Sequence, residues 1–303
     1  MPKINLKHSF TLIELLVVIA IVGILAGLIM LTMSDATEQA RIAKLKVYGN
    51  SMRDILGNNL VSEWDFDGLT SPFYSGTVID TWGLNNCTYL AGSGDTNDKR
   101  MDGSSCIFND CLSFDGSNDY LSCGSDSSLN LTNGVTITFW LKLNTLPLVN
   151  YTELVNKGGG SDPSYRIRVN TNGDFYMEVY NLAYYYDSHN TKLTTDTWYF
   201  IAGTYDNTTG QLFLSLNSDR KLCGSSFAGK LSSTAQAIVI GGNGGRSING
   251  TMDEVRIYNS AIPVSQIQAL YLAGLEKLLA NGGITQGEYY QRIAELNNSV
   301  AKE

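Results

Sequence analysis

The sequence predicts an α+β protein: a long N-terminal α-helix, then an antiparallel β domain, then short C-terminal helices. Three observations carry this. A nearly uncharged apolar run fills residues 10–33, and apolar residues recur at helical spacing from 34 to 60. From about residue 61 the pattern alternates with period two between regularly spaced turns. Thirty glycines and 17 tyrosines against five prolines also suit a turn-rich β domain. With 43% hydrophobic and 17% charged residues, the 303-residue chain can bury a sizeable core. A formal charge of −8 argues against a nucleic-acid surface, which needs a basic stripe. His8 and His189 are the only histidines, which nearly excludes catalysis on a His base and His-rich zinc sites.

The apolar run reads FTLIELLVVIAIVGILAGLIMLTM, and Glu14 is its one charge. As a helix rising about 1.5 Å per residue it spans about 36 Å, enough for a hydrocarbon core of about 30 Å. Lys3 and Lys7 precede it, so the short N-terminus stays in the cytoplasm and the rest is exported. The run is longer than that of an ordinary signal peptide. A plain membrane anchor leaves Glu14 unexplained, because a carboxylate at the centre of the hydrocarbon costs ~2.5–3.5 kcal/mol. A free α-amine made by cleavage before Phe10, on a neighbouring subunit, would neutralise it.

The stretch Lys7-His8-Ser9-Phe10-Thr11-Leu12-Ile13-Glu14-Leu15-Leu16-Val17-Val18 resembles the class III signal of bacterial type IV pilins and pseudopilins. The resemblance implies a prepilin peptidase that cuts between Ser9 and Phe10 and methylates Phe10. It makes Glu14 the fifth mature residue, which pairs with a neighbour's Phe10 amine during filament assembly. Two positions depart from the family. Ser9 stands where it usually has Gly, from which slower processing is expected, and Leu31 stands where major pilins often carry proline. Gly23 and Gly27 form a GxxxG pair, a weak signal for close helix approach. Beyond the membrane, Ile42, Leu45, Tyr48, Met52, Ile55 and Leu56 mark an apolar stripe. Glu38, Arg41, Lys44, Lys46, Arg53 and Asp54 fill the other faces, and Gly57-Asn58-Asn59 is a plausible stop.

The clearest strand runs over 134–143, with Val135, Ile137, Phe139, Leu141 and Leu143 on one face. Thr136, Thr138, Trp140 and Lys142 take the other. Further strands are expected at 165–171, 174–181, 197–206, 211–217, 237–241 and 251–259. Asn172-Gly173 is a hairpin signal between two of them. Many short strands with such punctuation predict a sandwich or a barrel.

Five segments then appear in order: Trp64-Asp65-Phe66-Asp67, residues 112–121 (LSFDGSNDYL), Thr138-Phe139-Trp140, residues 198–206 (WYFIAGTYD) and residues 250–259 (GTMDEVRIYN). Together they resemble the laminin-G-like, concanavalin-A-like jelly-roll domain over about residues 61–272. The resemblance implies two curved antiparallel sheets that bind glycans or proteins, often with a structural calcium. Ser265-xx-Gln268 and Thr285-xx-Glu288 read as capping boxes for helices over 265–281 and 285–298. The organisation expected is thus a leader at 1–9, a pilin-like helix at 10–60 with a transmembrane part at 10–33, a jelly roll at 61–272 and a helical tail at 273–303.

Several side-chain groups are candidates for chemistry. Asp115-Gly116-Ser117-Asn118-Asp119 offers alternating oxygens that suit calcium, or is simply a polar turn. Asp253 joins Asp115 and Asp119 as a metal ligand by family analogy alone. Tyr180, Tyr184, Tyr185 and Tyr186 with Trp82 form a possible platform for sugar rings, or are ordinary strand residents. Glu63-x-Asp65-x-Asp67 would share one face of a strand, where two carboxylates suit a glycosidase or form a charge ladder. His189 lies in a polar loop and is expected to be solvated. Cys106 and Cys111 bracket a short turn and are the expected disulfide; at least one of five cysteines stays unpaired within the chain or bridges subunits.

The sequence therefore points to a non-enzymatic, pilus-like filament subunit displaying a lectin-like domain for adhesion to an extracellular glycan or protein. Its expected partners are prepilin peptidase, other pilin subunits and the inner membrane before assembly. The domain ends outside the cell on the filament. The alternatives are a pseudopilin or minor tip subunit of a secretion or DNA-uptake system, and a membrane-tethered glycosidase.

Overall fold

A computed structural model describes residues 12–24, 57–92, 95, 97, 99–159, 162–180, 184–225, 229–243 and 245–300. The chain divides into two compact units, Met1–Asn50 and Ser51–Glu303. In the first, residues 12–24 form helix α1. Its large apolar side chains are 49–79% exposed, a face that water does not favour. Glu14 lies on α1, whereas Ser9, Phe10 and the amphipathic segment 34–56 fall outside the described residues. Among the described residues no helix is long and apolar enough to cross a membrane.

Among its described residues the second unit is two eight-stranded antiparallel sheets face to face, with a small third ribbon. The first sheet runs β14 (Asp219–Gly224), β13 (Gln211–Leu216), β12 (Trp198–Asp206), β7 (Gly134–Thr145), β18 (Asn249–Tyr258), β5 (Asp110–Asp115), β4 (Arg100–Asp102). Its eighth strand, β1 (Leu60–Trp64), shares one edge of β18 with β5. The second sheet runs β11 (Tyr184–Ser188), β10 (Phe175–Tyr180), β9 (Asp162–Val169), β8 (Thr152–Gly159), β15 (Ile238–Ile240), β6 (Tyr120–Ser122), β3 (Cys87–Leu90), β2 (Gly76–Val78). β16 (Gly242–Asn243) and β17 (Arg246–Ser247) make the ribbon.

The core follows from period two. Val135, Ile137, Phe139, Leu141 and Leu143 on β7 meet Tyr165, Ile167 and Val169 of β9 and Phe175, Met177 and Val179 of β10 in one buried cluster. The Asn172-Gly173 turn joins β9 to β10, with Gly173 at φ 81°, where a side chain is strained.

The other face of β7 is buried too. Helices α2 (Val264–Ala280) and α3 (Gln286–Val300) follow the sandwich. Tyr271 of α2 stacks on Trp140 with ring centres 5.8 Å apart, and Phe200 lies 5.4 Å from the same indole. Arg292 of α3 donates from Nη1 to the Trp198 carbonyl at 3.1 Å. These contacts cover the first sheet's outer face, so α2 runs unbroken past residue 272. The Thr285 cap forms, its Oγ1 accepting from the Glu288 N–H at 3.2 Å. The Ser265 cap does not: α2 starts one residue earlier, with Pro263 at its N-cap and no side-chain cap bond.

Two disulfides are present. Cys106–Cys111 is the pair the spacing predicts, and Cys87–Cys123 joins it, linking the start of β3 to the residue after β6. Cys223 takes no part in either; its Sγ–H points to the Lys221 carbonyl at 3.7 Å.

His189 corrects the expectation of a solvated loop residue, since it is only 2% exposed. Its ring stacks on Phe175 at 5.4 Å, Nδ1 accepts from the Thr191 N–H, and Nε2 faces the Asp219 carbonyl at 3.2 Å. A neutral ring protonated on Nε2 satisfies both contacts. Burial lowers its pKa from the ordinary 6.5, more than the exposed Asp219 carboxylate 3.6 Å away raises it. Between the unfolded value and the lower folded one the unfolded chain binds more protons, so stability present above about pH 6.5 is lost as pH falls through that window. Urea midpoints at pH 7.5 and 5.5 should therefore differ, and by less in His189→Gln.

Candidate functional site

Three places on the sandwich carry chemistry beyond packing. At the first, the turn after β5 brings Asp115 and Asp119 together with Asp95, their carboxylate oxygens within 4.8 Å of one another. This acidic cluster, which could hold a metal ion, contains Asp115 and Asp119, two of the three aspartates singled out by the sequence. Asp119 is fully buried and its Oδ2 accepts from the Asp115 N–H at 3.0 Å; Asp115 Oδ1 accepts from the Ser117 N–H at 2.8 Å. Lys99 reaches the same cluster, its Nζ 2.7 Å from Asp119 Oδ2 and 3.2 Å from Asp115 Oδ2, and ion-paired with Asp95. These contacts hold the Asp95 carboxyl down at about 2. Neither Asp95 nor Lys99 carries a motif; the fold alone places them here.

Asp253 lies elsewhere. It sits on β18 where that edge passes from β5 to β1, beside a register shift and Glu254 at φ 56°. Its Oδ2 accepts from the N–H groups of Ile107 and Phe108 at 2.9 and 3.1 Å, fastening the loop between Cys106 and Cys111. Complete burial, with the Glu254 charge beside it, pushes its carboxyl well above the usual range. Its contacts make it a loop anchor, and it is not among the three carboxylates of the acidic cluster.

The second place is the loop after β2. The Asp80 carboxylate, 4% exposed, accepts from four N–H groups: Glu63, Trp82 and Gly83 on Oδ1, and Asn85 on Oδ2. Thr81 donates its N–H to the Glu63 carbonyl at 2.8 Å. The backbone is thus fixed, yet it presents Trp82 at 51% exposure and Leu84 at 96%, with Tyr74 and Ile79 also exposed. Rigid apolar groups in water are the usual material of a binding hot spot.

Tyr180 ends β10, and Tyr184 pairs with it across the β10–β11 hairpin while Tyr186 pairs with Glu178. Trp82 does not join these tyrosines. Its loop follows β2, six strand spacings of about 4.8 Å from β10 across the second sheet. Sheet order therefore separates the Trp82 loop from the tyrosine strands, against the single aromatic platform expected from the sequence.

The third place is Glu63, Asp65 and Asp67. β1 ends at Trp64 and Phe66 takes φ 61°, so the three carboxylates do not share a strand face. Glu63 Oε1 accepts from Arg256 Nε at 2.6 Å. Asp67 takes the Asp110 N–H at 3.0 Å and Asn109 Nδ2 at 2.7 Å, and Asp65 Oδ1 takes the Asp67 N–H. Burial raises the Asp65 carboxyl pKa. The cavity beside them, lined by Asp65, Phe66, Asp67, Leu69, Phe73 and Ile79 among others, is about 220 Å³. That is below the about 300–1,000 Å³ of ordinary small-molecule sites.

Known proteins match this architecture. The profile of the concanavalin A-like lectin/glucanase superfamily fits residues 115–268, half of the chain. The chain belongs to this superfamily. A prokaryotic N-terminal methylation motif fits residues 4–30, as in type IV prepilin-like precursors. Among solved structures, this superfamily member is similar to domain 4 of AbnA, a GH43 extracellular arabinanase from Geobacillus stearothermophilus, in complex with arabinotriose. That match has 19% identity and a TM-score of 0.54, covering 70% of this chain and 98% of that one. It is similar to the binding domain of Paraclostridial Mosquitocidal Protein 1, at 18% identity and TM-score 0.54 over 71% of this chain and 52% of that one. It also resembles the botulinum neurotoxin serotype D ligand binding domain in complex with N-acetylneuraminic acid, at 13% identity and TM-score 0.56, covering 73% and 52%. The chain spans about half the length of the two toxin domains. At such identities these likenesses show the fold.

Proposed function

We propose that the chain is a pilin-like filament subunit whose sandwich binds a glycan or protein outside the cell. The carrying observation is the methylation motif at 4–30 ahead of a concanavalin A-like domain in one chain. In this reading prepilin peptidase cuts between Ser9 and Phe10 and methylates Phe10, and Glu14 pairs with the Phe10 amine of a neighbouring subunit. The apolar α1 surface supports it, since helices that exposed need a membrane or other helices around them. The mature sandwich is displayed on the filament after passing through the inner membrane.

The superfamily holds both lectins and glucanases, and binding is favoured here over hydrolysis. Glu63, Asp65 and Asp67 are engaged in backbone and ion-pair contacts beside a small cavity. The Trp82 loop is the favoured ligand surface, because its backbone is ordered before any ligand arrives. The Tyr180–Tyr186 hairpin is the second. One experiment with two arms tests the proposal. Mass spectrometry of chain from cells should show a start at N-methylated Phe10, and Glu14→Ala should leave filaments unassembled. In the second arm, a glycan array probed with assembled chain should lose signal by about tenfold or more in Trp82→Ala, a hot-spot effect of ~1.4 kcal/mol. A chain still starting at Met1 refutes the filament reading. Equal binding by Trp82→Ala moves the ligand to the tyrosine hairpin.

The second reading, a minor tip subunit or pseudopilin, shares every feature above. Copies per filament separate the two, many along a shaft for one and few for the other.

A further inference from the structure

The superfamily resemblance leads one to expect calcium at Asp115 and Asp119, and the described residues fit a different cation. We infer that Lys99 is the resident cation of the Asp95–Asp115–Asp119 cluster, so that the sandwich needs no calcium there. The ammonium lies 2.7 Å from Asp119 Oδ2 and 3.2 Å from Asp115 Oδ2, and it also pairs with Asp95. A calcium ion bonded to those oxygens, at about 2.3–2.6 Å, would face that positive charge across a single oxygen atom. It would also need about 6–8 oxygens, more than the three carboxylates supply by one atom each.

The lysine is not a surface side chain that has folded over the cluster. Its side chain is 3% exposed. Its backbone is tied on both sides, the N–H donating to the Phe73 carbonyl and the carbonyl accepting from the Ser113 N–H, each at 2.8 Å. Ser113 belongs to β5, the strand that ends in Asp115, so one ladder fixes both the ammonium and the carboxylate it meets. Part of the negative charge beyond one ammonium is met by backbone N–H groups and water, while the buried Asp119 Oδ1 has no hydrogen-bond partner among the described residues. Asp115 Oδ1 takes the Ser117 N–H and Asp119 Oδ2 takes the Asp115 N–H, and the Asp115 side chain remains 35% exposed to water. Moving Lys99 aside to admit a metal would break its ion pairs with Asp95, Asp115 and Asp119.

The test uses the full chain in detergent, first stripped with EDTA. Calorimetric titration of the natural chain with calcium should show no site, and its melting temperature should be the same in EDTA and in millimolar calcium. Lys99→Met keeps the stem and removes the charge. Its melting temperature in EDTA should fall, calcium should restore much of that loss, and its calcium affinity should exceed that of the natural chain by at least tenfold. Calcium binding by the natural chain at one site, with a rise in melting temperature that Asp119→Asn abolishes, overturns the inference. So does a folded Lys99→Met chain that gains no calcium affinity. Should that variant not fold, the titration of the natural chain alone decides. Trp82 and the N-terminal residues take no part, so failure here leaves the filament and ligand readings as they stand.

Discussion

Replacing Glu178 by alanine is expected to destabilise the sandwich by about 3–5 kcal/mol, the cost of breaking a buried ion pair from one side. Glu178 lies 5% exposed on β10 between two arginines of β9. Its Oε2 accepts from Arg166 Nε and its Oε1 from Arg168 Nη1 at 3.2 Å. Arg168 continues to Glu153 Oε1 on β8 at 3.3 Å, and Glu153 Oε2 accepts from Asn156 Nδ2 at 2.9 Å. Removing Glu178 takes the carboxylate from between two desolvated guanidiniums, where water cannot readily replace it. Glu178→Gln, which keeps the shape and one acceptor, should lose less. The exposed Lys192–Asp174 pair, at 3.2 Å, supplies the contrast: Lys192→Ala should cost under about 1 kcal/mol. Urea unfolding followed by tryptophan fluorescence reads the second unit alone, because Trp64, Trp82, Trp140 and Trp198 all lie in it. A Glu178→Ala midpoint matching that of Lys192→Ala would contradict a stabilising network.

This network marks the boundary of what the sequence reveals. The alternation of Tyr165, Ile167 and Val169 with Arg166 and Arg168 predicts a strand with a polar outer face, and β9 is that strand. That the polar side is also buried depends on β8 and β10 bringing Glu153 and Glu178 alongside, which no local pattern carries. The pilin-like signal was legible because it is a run of consecutive residues, and β7 because period two is a local property. Lys99 was not, since its carboxylates stand four, 16 and 20 residues away and meet it only through the β5 ladder. Trp82 and the tyrosines were grouped by chemistry alone, and sheet order places them on opposite sides. Non-local pairing, with β15 inserted between β8 and β6, decides each of these placements.

The two disulfides should contribute unequally, and in a direction that loop length decides. Cys87 and Cys123 close a separation of 36 residues, whereas Cys106 and Cys111 close only five. Limiting the unfolded chain's freedom is worth about 4 kcal/mol for the longer loop and about 2 kcal/mol for the shorter. Folded-state contacts reinforce the order. Cys87–Cys123 extends the β3–β6 ladder next to the Thr88–Ser122 pair, where both sulfurs are buried. The Cys106–Cys111 loop has a second fastening, the Asp253 carboxylate on the Ile107 and Phe108 amides, which survives loss of the sulfur bridge. Replacing both Cys87 and Cys123 by alanine should therefore lower the melting temperature by roughly 8–16 °C. The Cys106 and Cys111 double replacement should lower it by about half as much. Equal losses would mean that chain entropy is not the source of the stabilisation. A greater loss from the short loop would make the Asp253 anchor depend on the disulfide rather than back it up.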